Sequence, residues 1–354
     1  MASYILRRIL LMIPTLFGIM LVTFMVTQFV PGGPVERMLA EIKGHAAGKG
    51  GEVRVSQTSD LYQGARGLDE ERVAQLKKLY GFDQPPLTRF LAMMRNYLVF
   101  DFGESYYHHR SVAGLVISKL PVSMSLGLWS FLIVYGACIP LGIAKAVRDG
   151  SRFDVVTSTI ILIGYAIPGF VLAILLIVLF GGGSFWSIFP LRGLVSDNWQ
   201  ELGLMAKILD YLWHMVLPII SSAVGSLAVM TLLTKNSFLE EIRKQYVITA
   251  RAKGLSERRV LYRHVFRNAI IPIITGFPGS FITAFFTGSL LIETIFSLDG
   301  MGLLAYDSIM NRDYPVVLGT LYFFTIIGLI SRLLTDLSYV GVDPRITFES
   351  MESH

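Results

Sequence analysis

Several stretches of this 354-residue chain run for about twenty residues without an Asp, Glu, Lys or Arg. A helix of that length covers the ~30 Å of hydrocarbon in a bilayer, so these runs confine the fold to an all-α integral membrane protein. Charged residues make up 16% of the chain, against nearer a quarter in soluble domains, because the runs are empty of charge. The net charge of +5 therefore reports on topology. It does not announce a nucleic-acid surface, since no aromatic or base-edge readers are grouped with the basic residues. The single cysteine, Cys138, lies inside an apolar run. That leaves no disulfide and no Cys-based metal site, and gives Cys138 the part of a small buried residue.

The first run, residues 9–30, follows Arg7 and Arg8 and stops at Pro31-Gly32-Gly33-Pro34. It is longer than a signal-peptide core and has no Ala-x-Ala cleavage site, so residues 1–30 read as an uncleaved first span. Residues 31–121 read as a region outside the membrane. From Pro34 to Pro121 twelve basic residues stand against ten acidic ones, which is neither a cationic arm nor an acidic tail. Within it, residues 44–67 look like a flexible excursion, and helical spacing predicts short amphipathic helices over 69–80, capped by Asp69, and over 87–99. Five further spans are expected within 122–339, at 122–144, 155–180, 211–234, 270–292 and 314–331. Pro168-Gly169 predicts a kink in the third span.

Short loops set the orientation. Arg7/Arg8, then Lys145, Arg148 and Arg152 in the loop after the second span, then the basic loop 235–271 fall on one side. The acid-leaning loops 181–210 and 298–313 fall on the other. Six transmembrane helices with both termini cytoplasmic, a periplasmic insertion after the first helix and a cytoplasmic tail at 340–354 satisfy every loop.

The cores of the six spans are free of Asp, Glu, Lys and Arg, whereas ion-coupled transporters need ionisable groups near the midplane. His214, at the outer end of the fourth span, suits an interfacial role. Arg332 and Asp336, spaced i, i+4, suit a snorkelling pair. The chain also lacks the G-x-x-x-x-G-K-[ST] phosphate loop. Energy for any transport must come from elsewhere. The later spans carry hydroxyls, among them Ser222, Ser226, Thr283 and Thr287. They either bond their own helix backbones in helix packing or line a wet, uncharged pathway, and the sequence leaves both readings open.

The most basic segment lies between the fourth and fifth spans. From Lys235 to Ile271 there are nine Lys/Arg and three Asp/Glu. Ser237-Phe-Leu-Glu240 has the form of a capping box, predicting a helix from Ser237 to about Lys253 that Gly254 ends in a left-handed conformation. Ser256 should cap a second helix with Glu257 in its first turn. Charge alone would make this an anionic-lipid tether; the caps and the small corner Ala250, Ala252, Gly254 argue for a contact with a protein groove.

The segment Thr249-Ala250-Arg251-Ala252-Lys253-Gly254-Leu255, followed by Arg263-His264, Arg267-Asn268-Ala269 and Pro272, resembles the EAA loop of binding-protein-dependent ABC importer permeases, in the variant of the oligopeptide/dipeptide/nickel branch. Ile248 and Thr249 stand where the general form has Glu and Ala, and Arg267 stands where Pro is usual. The resemblance covers nearly the whole chain: Asp101-Phe-Gly-Glu-Ser105, Leu120-Pro121-Val-Ser123, Glu293-Thr-Ile-Phe296, Gly300-Met-Gly302, Arg312-Asp313-Tyr314-Pro315 and Asp343-Pro344-Arg345 follow in order. The Pro-Gly-Gly-Pro form and the excursion near residues 40–67 are similar to Yej-type peptide permeases.

That resemblance implies a multi-pass permease subunit of the bacterial inner membrane that translocates oligopeptides or peptide-like solutes. The alternatives are a dipeptide or nickel permease of the same family and, less fitting, a stand-alone secondary transporter. It implies a second homologous permease, ABC ATPases that bind ATP-Mg and a periplasmic substrate-binding protein as partners, with no cofactor, catalytic residue or metal site in this chain. By resemblance, Ala250, Arg251, Ala252, Lys253, Gly254, Leu255 and Ser256 form the coupling helix corner that meets the ATPase.

Overall fold

A computed structural model describes residues 2–29, 84–182, 185–286 and 288–342. The expected helix at 69–80, the excursion at 44–67, Thr287 and the tail 343–354 lie outside the described residues. Four helices are long and apolar enough to cross a membrane: Ser3–Phe29, Val112–Val147, Leu204–Ile242 and Tyr314–Gly341. Two bent pairs, Arg152–Ala166 with Gly169–Gly181 and Glu257–Ala269 with Ile271–Ala284, bring the number to six when each pair counts as one span. The expected kink at Pro168 is a turn of 92°. Ile167 ends the first half in an extended conformation, as a residue preceding proline prefers.

We number the helices α1 (Ala2–Phe29), α2 (Pro86–Tyr97), α3 (Val112–Val147), α4 (Arg152–Ala166), α5 (Gly169–Gly181), α6 (Leu204–Ile242), α7 (Gln245–Ala252), α8 (Glu257–Ala269), α9 (Ile271–Phe286), α10 (Leu290–Ile295), α11 (Met301–Met310) and α12 (Tyr314–Val342). Among the described residues there is no strand, only an isolated bridge between Glu104 and Ser111. The 36 residues of α3 and 39 of α6 make rods of about 54 and 58 Å at 1.5 Å per residue. Both overrun the hydrocarbon, so their ends carry structure outside it. The fifth span breaks at Ile270 and stops at Phe286 rather than at the expected 292.

The chain divides into two compact units. One comprises residues 13–116 and 307–323. In it the buried Phe90 of α2 meets Phe17 and Phe24 of α1 at 5.3 and 5.4 Å between ring centres. Tyr97, Phe102 and Tyr322 form a second aromatic group at 5.0–5.7 Å. Asp313, 1% exposed, accepts hydrogen bonds from the Ser105 hydroxyl and, at 3.0 Å, from the Tyr106 backbone N–H. Two of the motif segments, Asp101–Ser105 and Arg312–Pro315, are thus one structural joint.

The other unit comprises residues 1–12, 117–306 and 324–354. Its apolar core has three layers along α3 and α6: Leu126 with Met215, Leu217 and Ile219, then Val134 and Cys138 with Ala223, then Ile143 and Ala146 with Phe238. The layers follow the same order along both helices, so α3 and α6 run parallel. A parallel pair requires the chain between them to cross back, which is the role of α4 and α5. Cys138 is buried in the middle layer, its thiol donating to the Leu227 carbonyl at 3.4 Å.

Candidate functional site: the basic loop and the seat beneath it

The loop is a folded platform. α6 does not start afresh at Ser237: it runs through it to Ile242, and the Ser237 hydroxyl donates to the Ala269 carbonyl of α8 at 2.6 Å. The capping-box reading of Ser237 and Glu240 is therefore wrong. An apolar helix entering from the membrane already satisfies the Glu240 and Glu241 amides, so no cap is needed there. The chain breaks instead at Arg243-Lys244, and α7 begins at Gln245.

α7 ends as Gly254 predicts. Gly254 has φ +76°, its N–H donates to the Arg251 carbonyl at 2.9 Å, and the Leu255 N–H reaches the Ala250 carbonyl at 3.4 Å. These two bonds are the Schellman pair that closes a helix on a left-handed residue, and the apolar residue following it packs back on the helix. Leu255 does so, against the cluster holding Val247 and Ala250. Ser256 occupies the cap position of α8, but its side chain makes no capping bond. Glu257 turns back to Arg251, with both guanidinium contacts at 2.9 and 3.0 Å, and clasps the corner.

Burial sorts the corner into a seat and a face. Val247 and Ala250, three apart on α7, are buried with Phe238, Val260, Val265 and Ala269. Leu255 is half-buried, while Ile248, Thr249, Arg251, Ala252, Lys253, Gly254 and Ser256 are exposed. A groove of about 410 Å³, lined by Ser256, Arg258, Arg259 and Tyr262, opens beside the corner. α8 includes a π-helical turn at Val260–Val265, a distortion frequent at functional sites. Tyr246 ties the platform together: its hydroxyl donates to Glu241 at 2.6 Å and accepts from Asn268 at 3.3 Å. Burial and the Glu241 carboxylate push its phenol up to about 12.

Beneath the seat lies a charge cluster that the sequence reading missed. Lys145 was expected in a loop, yet it is inside α3 and fully buried. Its ammonium pairs with Asp154 at 3.0 Å and donates to the Asp154 carbonyl, Thr157 and Ser158 at 2.7–2.8 Å. Lys235 of α6 reaches Asp154 at 2.7 Å and Asp149 at 2.9 Å, and Arg243 reaches Asp149 at 3.3 Å. The ends of α3, α4 and α6 are therefore joined by charge beside Ile143 and Ala146, which belong to the same cluster as Val247 and Ala250. The available signal was Asp149 and Asp154 interleaved with three bases in a ten-residue window.

At the other end of this unit, Glu293 of α10 is fully buried. It accepts from the Ser123 hydroxyl at 2.9 Å and from the N–H groups of Ser289 and Leu303 at 3.1 and 2.9 Å. Ser123 in turn accepts from the Met301 N–H at 2.8 Å. A Cβ on Gly300 would lie 2.5 Å from the Glu293 carboxyl carbon, so glycine is required for this approach. Three further motif segments, around Ser123, Glu293 and Gly300–Gly302, are thereby one contact.

The expected Arg332–Asp336 pair is replaced. Asp336 takes Arg8 at 2.9 Å and the Tyr4 hydroxyl at 3.1 Å, both from α1. His214 is buried, with Nδ1 2.8 Å from the Asp210 carbonyl. Of the hydroxyls named for a pathway, Ser222 and Ser226 line one cleft together with Ser130, Tyr135 and Ser280. Thr283 is exposed on α9 but is not among the residues lining that cleft. Ser221 and Thr275 bond their own helix backbones, and so does Ser222, whose hydroxyl donates to the Pro218 carbonyl at 2.8 Å. Among the described residues no group of three or more His, Cys, Asp or Glu is placed to hold a metal.

A folded platform at the end of several apolar spans defines a multi-pass membrane component. Residues 138–348 match the family "Binding-protein-dependent transport system inner membrane component", and the chain belongs to that family of inner-membrane ABC importer permeases. Over 99% of both chains it is 59% identical to the peptidoglycan transport system permease protein YejB of Agrobacterium fabrum. It is 54% identical to the inner membrane ABC transporter permease protein YejB of Escherichia coli O157:H7, across 99% of this chain and 100% of that one. The oligopeptide transport system permease protein AppB of Bacillus subtilis is 32% identical, across 98% and 100%.

Proposed function

We propose that this chain is one half of the pore of an ATP-driven importer that carries oligopeptides or peptide-like solutes into the cytoplasm. Its relatives are named for oligopeptide and peptidoglycan transport, which points to peptides of cell-wall or nutrient origin. A second homologous permease completes the pathway, ABC ATPases bind ATP-Mg beneath it, and a periplasmic binding protein delivers the solute. Residues 31–121 lie on the periplasmic side, both termini and the 340–354 tail on the cytoplasmic side, and residues 122–339 form the core. Ser222, Ser226, Thr283 and Thr287 belong to the pathway.

The observation that carries the reading is the corner at Gly254. Its exposed face, Ile248, Thr249, Arg251, Ala252, Lys253, Gly254 and Ser256, enters a groove on an ATPase. The seat formed by Val247, Ala250 and Leu255 passes the motion on to α3 and α6. Closure of the ATPases on ATP would then swing these helices as a rigid body between inward- and outward-facing states. The exposed Arg258, Arg259, Arg263 and Arg267 hold the platform against anionic lipid headgroups.

The test is Gly254→Asp beside Gly254→Asn. Both must accept a positive φ, which Asn and Asp tolerate better than other residues, but only Asp places a negative charge on the docking face. Gly254→Asp should insert normally yet abolish peptide uptake and substrate-stimulated ATP hydrolysis, with Gly254→Asn retaining most of both. Unchanged uptake in Gly254→Asp would sink the coupling role. Purification in mild detergent should bring down the ATPases and the second permease.

A further inference from the structure

A cleft of about 490 Å³ opens between α3, α6 and α9 in the middle of the spans. That volume lies within the roughly 300–1,000 Å³ of small-molecule sites. Among the described residues no charged side chain lines it; its polar groups are the hydroxyls of Ser130, Tyr135, Ser222, Ser226 and Ser280. The Ser130 hydroxyl is enclosed and has no hydrogen-bond partner among the described residues, and a buried hydroxyl left unmade costs free energy that a ligand can recover. Ser226 and Ser280 are exposed along the cleft. Under lipid such hydroxyls have only their own helix carbonyls to bond, whereas a wet or ligand-filled cleft offers them further partners.

One wall is aromatic. Phe131 and Tyr135 stack at 4.3 Å, with Phe277 edge-on to both at 5.1 and 5.5 Å. The Ser222 hydroxyl donates to the Pro218 carbonyl of its own helix at 2.8 Å and is left to accept, while the other serine hydroxyls can both donate and accept, which suits the alternating N–H and C=O of a peptide backbone. The stacked rings suit an apolar or aromatic side chain. A charged side chain would find no counter-ion here and would be desolvated without compensation.

We propose that this cleft is a transient substrate site within the membrane. It takes an uncharged stretch of peptide, the backbone on Ser130, Ser222, Ser226 and Ser280 and an apolar side chain on Phe131 and Tyr135. The proposal rests on the peptide reading above and sharpens it: the permease adds its own preference for neutral residues.

The experiment uses the whole importer in a strain deleted for its own copies. Uptake is measured for four radiolabelled tripeptides whose central residue is Ala, Phe, Asp or Lys. Dividing each variant by wild type, with the same binding protein, removes that protein's own selectivity. Ser226→Asp should raise the ratio of Lys-peptide to Asp-peptide uptake about tenfold, as expected for one charge contact in a partly shielded site. Tyr135→Ala should lower Phe-peptide uptake several-fold more than Ala-peptide uptake. In a Cys138→Ala background, Ser226→Cys should react with a water-soluble maleimide and be protected by excess Phe-peptide. Unchanged ratios, or labelling indifferent to peptide, would overturn the site. A Ser226→Cys that cross-links to the neighbouring permease and never labels would make the face a subunit interface and overturn it too. Wild type taking up none of the four peptides would instead overturn the peptide reading itself.

Discussion

Two acids are buried in the same membrane unit, and they are held in opposite ways. Asp154 faces the ammonium groups of Lys145 and Lys235 at 3.0 and 2.7 Å. Glu293 faces no cation; one hydroxyl and two backbone N–H groups surround it. Side-chain pairs between the ends of α3, α4 and α6 can re-form at slightly different separations, because each long lysine carries several rotatable bonds. Backbone donors aimed at a carboxyl in a glycine-walled pocket fix one geometry. The charged joint sits beneath the loop platform, and the backbone joint holds α10 against α3 at the far end. The contrast gives the two ends joints of different stiffness.

The largest break should come at the charged joint. Asp154→Leu leaves Lys145 buried without its counter-ion, and stripping one partner from a buried pair costs about 3–5 kcal/mol. The double variant Lys145→Met/Asp154→Leu should recover much of this, since apolar replacement of a whole buried pair is often neutral. Thermal melts of the detergent-solubilised complex check both. Uptake separates the roles: the recovered double variant should hydrolyse ATP while transporting poorly. Full transport in the double variant would mean that the charges serve stability alone.

Glu293 comes next. Both carboxyl oxygens accept from N–H groups, so the amide of Glu293→Gln faces a backbone donor with its NH2 whichever way it is turned. An unmet or opposed buried group costs about 1–3 kcal/mol, and the melting temperature should fall less than in Asp154→Leu. Gly300→Ala, with its new carbon 2.5 Å from the carboxyl, should lower it by a similar amount through overpacking. A melt unchanged in both variants would remove the idea of a rigid joint at Glu293.

These two joints also mark where the sequence could and could not be read. Apolar run length located four unbroken spans and the two bent helix pairs, because the bilayer fixes a length and forbids charge within it. Gly254 was legible because only a left-handed stop suits glycine between two helical segments. The Ser237 cap was not, since the same four residues serve equally inside a helix that tertiary packing has already extended. Lys145 misled for a related reason: a lysine next to an apolar run reads as a loop charge until its partners, nine to thirteen residues on, are placed beside it. The ordered motifs were visible one by one. That Ser123 meets Glu293, or Ser105 meets Asp313, lies in separations of 170 and 208 residues, which no local pattern encodes.

A third acid isolates the contribution of burial. Glu241, at the same end as Asp154, also pairs with a lysine, Lys244, but that lysine is 45% exposed. Water screens such a pair to within about 1 kcal/mol, so Lys244→Ala should barely move the melt. Tyr246, the other partner of Glu241, is half-buried and hydrogen-bonded, and Tyr246→Phe should cost about 1 kcal/mol. The phenol adds a pH signature. Its folded value, about 12 against an ordinary 10, lies above the unfolded one, so its contribution is complete below pH 10 and is lost as pH rises through 12. The stability difference between wild type and Tyr246→Phe should therefore be constant from pH 7 to 9 and shrink above 10. A difference that persists to pH 12 would show that the hydroxyl's contribution does not come from its bond to the Glu241 carboxylate.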